Sequence, residues 1–234
     1  MEDMERYGDY NDVEYDSPKK SGAVLTVLKI ITAVVCISVI GILAFRMTLF
    51  NTYPERVKNI YFNDTLTEYY EACGGAIAAE TQVLRASYDD PDLGNFFCDN
   101  LIVIKGVDQL QVSLKYNVST IERISAELYE GAPLDDMSTD IFTFRLVDNY
   151  GAVYSEVEMP VFEARVMYRY AKLVFDGVDF DGSATGHAPE WIRLEIFTDK
   201  SASEPYAMIC VYENNEAYNV FTTYELSKDE VPNG

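Results

Sequence analysis

The sequence predicts a mostly β protein, an antiparallel β-sandwich carried on a single N-terminal transmembrane helix. Three observations lead there. Ala23–Phe45 is apolar over 23 residues with one interruption, Lys29. Beyond residue 80 the pattern changes to a period of two, apolar and polar residues alternating as in half-buried strands. Those alternating segments are short and are separated by Gly, Asn, Asp and Pro, the residues of turns.

The apolar run comes first. As a helix rising 1.5 Å per residue it reaches roughly 34 Å, enough to cross a hydrocarbon core of about 30 Å. Lys29 and Arg46 bracket an uncharged stretch of 16 residues, so both side chains can extend to their nearest interface. A cleaved signal peptide needs a shorter apolar region and a small-x-small cleavage site, whereas Ile42-Leu43-Ala44 presents isoleucine where a small residue is wanted. A lipoprotein anchor needs a small residue before its cysteine, and Cys36 follows Val34-Val35. The segment therefore reads as an uncleaved signal-anchor. Lys19, Lys20 and Lys29 favour a cytoplasmic N-terminus under the positive-inside rule, against a weaker opposing bias from Arg46, Arg56 and Lys58. The expected location is the cell membrane, single-pass, with the C-terminal domain extracytoplasmic.

The chain divides into five regions: a disordered acidic cytoplasmic tail over 1–21, the transmembrane signal-anchor over 22–46, a stalk or linker over 47–79, the β-sandwich over 80–228 and a C-terminal tail over 229–234. The tail carries seven acids against three bases, and a block of like charge with little apolar content does not fold alone. Pro54, the polar patch at 63–67 and Gly74-Gly75 give the next region its stalk-like composition.

Within the β region, Gln109–Tyr116 (QLQVSLKY) alternates most clearly, with Leu110, Val112, Leu114 and Tyr116 inward and Gln109, Gln111, Ser113 and Lys115 on a wet face. Ile141–Val147 and Trp191–Phe197 alternate in the same way. Gln82–Tyr88, Leu101–Ile104, Ala152–Val157, Arg165–Phe175, Tyr206–Glu213 and Ala217–Leu226 complete the set of candidate strands. Asp148-Asn149-Tyr150-Gly151 and Asn214-Asn215 are predicted to close hairpins between their neighbours. One helix interrupts, with Ser119 and Glu122 as a capping box and Ile121, Ile124 and Leu128 on one face. An immunoglobulin-like sandwich is the first expectation for such strands and a small barrel the second, although the Cys…Trp…Cys spacing of immunoglobulin domains is absent around Trp191.

Charge and cysteine usage bound the function. Residues 47–234 carry 32 acids against 13 bases, a surface that repels nucleic acid, so no nucleic-acid partner is expected. Beyond Cys36 in the apolar run, Cys73, Cys98 and Cys210 allow at most one disulfide, and none has the spacing of a zinc site. The sequons Asn63-Asp64-Thr65 and Asn117-Val118-Ser119 match the N-glycan acceptor pattern.

The layout of short tail, anchor and β-rich exported domain resembles that of sortases. The resemblance stops at the site, which in that family needs a histidine, a later cysteine at a strand end and an arginine beyond it. His187 precedes Cys210, but no arginine follows Cys210. No Gly-x-Ser-x-Gly, phosphate-cradling glycine loop or His-Glu-x-x-His occurs. The expectation is a protein that is not an enzyme and holds no catalytic residue or organic cofactor. Calcium is the one candidate ligand: Asp176, Asp179 and Asp181 stand before Gly182, an oxygen-rich loop of the kind calcium uses.

The expected function is a membrane-tethered extracytoplasmic binding or scaffolding module that acts on a protein or glycan at the cell surface. It is held to the membrane by Ala23–Phe45, with Trp191, Phe197, Tyr206 and Tyr212 as contact residues. The alternative is a transmembrane signalling or assembly subunit working through its acidic tail and anchor, with a surface hydrolase behind both.

Overall fold

The computed structural model describes residues 21–83, 96–135, 138–198, 203–214 and 222–226. The expected tail at 1–20, the C-terminal tail at 229–234, and the ends of the candidate strands Gln82–Tyr88 and Ala217–Leu226 lie outside them. The chain divides into two compact units, Met1–Leu49 and Phe50–Gly234.

The first unit is built on one apolar helix, α1 (Ser21–Asn51). Its span Gly22–Thr48 is 27 residues long, roughly 40 Å at helical rise, and it is the one helix among the described residues long and apolar enough to cross a membrane. None of that span is buried within the protein. The hydroxyls of Thr26, Thr32 and Thr48 each donate to the carbonyl four residues back, at 2.8, 2.9 and 3.0 Å. Helical back-bonding of this kind pairs each of these hydroxyl donors within the helix, as an apolar medium requires.

The second unit is mostly strand. A six-stranded sheet has the order β10-β1-β2-β3-β7-β6 and a four-stranded sheet the order β5-β4-β8-β9. The strands are β1 (Ile77–Val83), β2 (Phe96–Ile104), β3 (Gln109–Asn117), β4 (Thr143–Asp148), β5 (Val153–Tyr154), β6 (Val157–Ala164), β7 (Tyr168–Phe175), β8 (Trp191–Phe197), β9 (Ala207–Glu213) and β10 (Thr222–Leu226). All pairings are antiparallel. Alternation sets which face is inward: Leu110, Val112 and Leu114 of β3, Leu173 and Phe175 of β7, Leu146 of β4, and Ile192, Leu194 and Ile196 of β8 meet in one buried cluster drawn from both sheets. Phe142 closes one end of it, edge-on to Phe96 and Tyr116 at 5.2 and 5.1 Å between centroids.

A second, smaller cluster covers the other face of the six-stranded sheet. The segment after α1 forms two short helices, α2 (Glu55–Lys58) and α3 (Asp64–Ala72). Ile60, Leu66 and Tyr70 from this segment pack on Ile77 and Ala79 of β1 and Ile102 and Ile104 of β2. Of the region expected as a stalk over 47–79, residues 53–72 are therefore a strap across a sheet face, and 77–79 belong to β1. The composition that suggested a stalk has local uses: Asn63 caps α3 by accepting from the Leu66 amide at 3.0 Å, and Gly74 and Gly75 take positive φ beyond the helix C-terminus.

The wet face of β3 is corrected with it. Gln109, Gln111 and Ser113 are fully buried. The Tyr61 amide donates to Gln111 Oε1 (2.9 Å), Gln111 Nε2 donates to the Tyr61 carbonyl (2.7 Å), and the Ser113 hydroxyl donates to the Val57 carbonyl (2.7 Å). Alternation is indifferent to whether a polar face meets water or the backbone of another segment, provided its hydrogen bonds are made.

Three smaller expectations also change. The helix α4 (Val118–Leu128) is capped by Asn117, whose side chain accepts from the Ser119 amide at 3.0 Å, in place of Ser119 itself. Asn117 and Asn63, the sequon asparagines, are thus both helix caps. The last two strands do not form a hairpin: β9 pairs with β8, and β10 crosses to the other sheet to pair with β1. Finally, β6 has no counterpart among the expected strands; it contains Pro160, which a sheet tolerates there since β6 is an edge strand.

Candidate binding face

The strap covers a face of the six-stranded sheet; among the described residues the outward face of the four-stranded sheet has no such strap. Strand pairing brings its residues together: Arg145 of β4 lies opposite Glu195 of β8, Arg193 of β8 opposite Cys210 of β9, and Glu195 opposite Met208. Arg193, Met208 and Cys210 are exposed, and Trp191 is half-buried. The Arg145 Nε donates to Glu195 Oε2 at 2.5 Å, a pair that is more enclosed on its glutamate side. Two guanidinium groups lie over aromatic rings, Arg193 over Trp191 at 4.1 Å and Arg145 over Phe197 at 4.6 Å. Planar cations and rings held at fixed strand spacing form a patterned surface suited to a polar partner with carboxylates, amides or sugar rings.

The four expected contact residues separate. Trp191 is on this face, at the start of β8. Phe197 is only 6 % exposed because Arg145 covers its ring, and Tyr212 is 3 % exposed, edge-on to Phe180 at 5.6 Å. Both are packing residues, which corrects their expected surface role. Tyr206 is half-buried beside α4, where its hydroxyl accepts from Arg123 Nη2 at 2.9 Å and Nε at 3.2 Å. Arg145 and Arg193 are residues of this candidate face that sequence reasoning did not single out. Their signal was present in their outward positions within Ile141–Val147 and Trp191–Phe197.

The three carboxylates expected to share a calcium ion are occupied separately. Asp176 accepts from Asn63 Nδ2 at 2.9 Å and Gln109 Nε2 at 2.7 Å, tying the loop after β7 to the strap. Asp179 accepts from the Ala184 amide (3.1 Å) and from the Thr185 amide and hydroxyl (2.7 Å each). Burial pushes the Asp179 carboxyl up, but these donors outweigh it and hold the group at about 2. Asp181 accepts from the Ser183 amide at 2.8 Å, an Asx turn. Among the described residues no three His, Cys, Asp or Glu side chains are placed to share a metal ion. A second aspartate-rich loop of the kind calcium uses, Asp89-Asp90-Pro91-Asp92, lies outside the described residues.

His187 is exposed in the loop between β7 and β8 and stacks on Tyr150, centroids 4.9 Å apart. All four cysteines are free thiols. Burial, helped by Asp99, pushes the Cys98 thiol up to about 12; burial of its sulfur, with the Glu213 carboxylate beside it, pushes Cys210 to about 11. Neither is a poised nucleophile. One charged group has no assigned role: Lys172 of β7 is fully buried under the strap, its Nζ has no hydrogen-bond partner among the described residues, and burial lowers it to about 7.

No family model, curated protein or solved structure matches this chain.

Proposed function

We propose that the chain is a membrane-tethered extracytoplasmic binding or scaffolding module, N-terminus in the cytoplasm, that engages a protein or glycan through the outward face of the four-stranded sheet. The observation that carries this reading is the contrast between the two sheet faces. One is covered by the strap, with its polar side chains hydrogen-bonded to strap backbone, while the other leaves Trp191, Arg193, Arg145 and Met208 at the surface. The unburied apolar span of α1 supports the tether, and the lysines at 19, 20 and 29 support its direction. The buried cluster shared by both sheets supports their packing as the layers of a sandwich, immunoglobulin-like in that broad sense.

Two measurements test it. In intact cells a membrane-impermeant maleimide should label the exposed Cys73; protection of Cys73 until the membrane is permeabilised overturns the orientation. A photo-crosslinking amino acid at Met208 should capture one surface partner, which in purified form changes the fluorescence of Trp191, the sole tryptophan. Arg193→Ala should weaken that binding at least tenfold, and an unchanged affinity refutes the face.

A further inference from the structure

The hairpin joining β6 to β7 turns at Arg165–Tyr168, closed by the Arg165 amide donating to the Tyr168 carbonyl at 2.9 Å. Its two central residues are apolar and outward: Val166 is 76 % and Met167 43 % exposed. Scattered exposed apolar side chains are ordinary, but this adjacent pair is braced in place. Arg169, itself buried, donates to the carbonyls of Arg165 and Tyr168, and the Val118 amide donates to the Met167 carbonyl at 3.0 Å. With its backbone fixed on both sides, the turn holds both side chains away from the domain core.

The position of the turn along the chain matters more. Arg165 Nη1 donates to the Thr52 carbonyl at 3.1 Å. Thr52 lies four residues beyond Thr48, the end of the apolar span. Four residues of fully extended chain reach about 14 Å at most. Covalent continuity therefore keeps Thr52 within about 14 Å of the point at which the apolar span ends, about twice the thickness of an interfacial layer of roughly 5–8 Å, and the Arg165 side chain ties the turn to Thr52. The same end of the sheet carries the chemistry of such a layer. Lys115 sits over the Tyr168 ring at 4.1 Å and the Phe97 ring at 5.5 Å, and the Tyr53 hydroxyl donates to the Phe97 carbonyl at 3.0 Å. Rings with one polar edge and long basic side chains are the residues that belts at membrane–water interfaces collect. The basic groups at this end are held in place within the domain: Lys115 lies among aromatic rings, Arg165 pairs with Glu163 at 2.8 Å, and the buried Arg169 is bound to backbone carbonyls.

We propose that Val166 and Met167 form an interfacial wedge that enters the headgroup–acyl boundary of the bilayer. The inference rests on the proposed reading of α1 as a membrane span.

The test uses the full chain in phosphatidylcholine vesicles, with Cys36→Ala, Cys73→Ser and Cys210→Ser as background and the buried Cys98 retained. Val166→Cys is labelled with an environment-sensitive nitrobenzoxadiazole dye, and Met167→Cys serves as an independent second site. Ser183→Cys, exposed beyond the far end of β7, is the control; that strand of eight residues spans roughly 26 Å. The dye at either tip position should emit to the blue of the control and lose most of its intensity to lipids spin-labelled near the glycerol end of the acyl chain. Carbonate extraction reports the anchor separately. A carbonate-resistant chain whose tip dyes emit as in water, unquenched, overturns the wedge and leaves the anchor standing. A chain that carbonate strips from the vesicles overturns both.

Discussion

The Ser113 hydroxyl donates to the Val57 carbonyl at 2.7 Å, joining the centre of β3 to the turn of helix that comes after the apolar span. The two residues are 56 apart in sequence and both are fully buried. This bond, with the paired Gln111–Tyr61 contacts beside it, makes residues 53–72 part of the domain.

A spacer tolerates truncation and a packed strap does not. Leu66→Ala should lower the unfolding free energy of the detergent-solubilised chain by about 2–4 kcal/mol, the cost of emptying a fully buried leucine site. Urea denaturation followed by Trp191 fluorescence measures it, and a change below about 0.5 kcal/mol, the scale of ordinary surface substitutions, would return the segment to a stalk.

Lys172 makes the domain's stability depend on pH in a predictable direction. Its folded value of about 7 lies below the unfolded 10.5, so between those values the unfolded chain binds more protons. Stability should therefore rise as pH increases from about 7 towards 10. Lys172→Met, close in volume and free of the desolvation cost, should be more stable than the parent at pH 7 by a few kcal/mol. The gap should narrow as pH rises, since the parent then loses its penalty. Thermal melts of parent and variant across this range isolate Lys172 from Glu158 and Glu163 on β6, Lys115 on β3, and Glu55, Arg56 and Lys58 on α2. A constant gap would mean that Lys172 is charged and paired in the folded state.

Gly182 and Gly151 both have positive φ, at +76° and +86°, yet should differ sharply on substitution. A β-carbon at Gly151 meets open space, whereas at Gly182 it would lie 2.4 Å from the Ala188 amide nitrogen. Gly151→Ala should cost about 1–2 kcal/mol, the left-handed penalty alone. Gly182→Ala should cost clearly more, because backbone must move, and equal losses in urea denaturation would exclude that close approach.

The Asp179 loop should show an acid-side dependence. A carboxyl held at about 2 against an ordinary 3.8 contributes stability that is complete above pH 4 and is lost as pH falls towards 2. Thr185→Val removes one donor to the charged group and should cost roughly 1–2 kcal/mol at neutral pH, with a flatter decline in acid. Nuclear magnetic resonance titration of Asp179 should find its midpoint raised in the variant; an unmoved midpoint would assign the low value to the amides alone.

Much of the strand content was legible because alternation is written locally. Trp191–Phe197 is β8 to the residue, and the Asp148–Gly151 turn joins β4 to β5 as its composition requires. The candidate site was legible only in part. Trp191 was marked by its type, but Phe197 and Tyr212 looked equally eligible, and their burial depends on Arg145 and Phe180, which are distant in sequence. The aspartates at 176, 179 and 181 looked like convergent ligands because spacing says nothing about which amides, hydroxyls and side-chain amides will reach them first.

Local composition and pattern were enough to specify the long apolar N-terminal helix and the β-rich character of the domain beyond it. Both are consequences of hydrophobicity read over adjacent residues, at helical length in one case and at period two in the other. Only long-range packing makes the polar face of β3 dry, lays the supposed stalk across it, and joins β10 to β1 and not to β9. Those outcomes depend on pairings between segments far apart along the chain. A glutamine or serine on a strand is equally well satisfied by water or by a carbonyl from another segment, so the residue type alone does not distinguish the two.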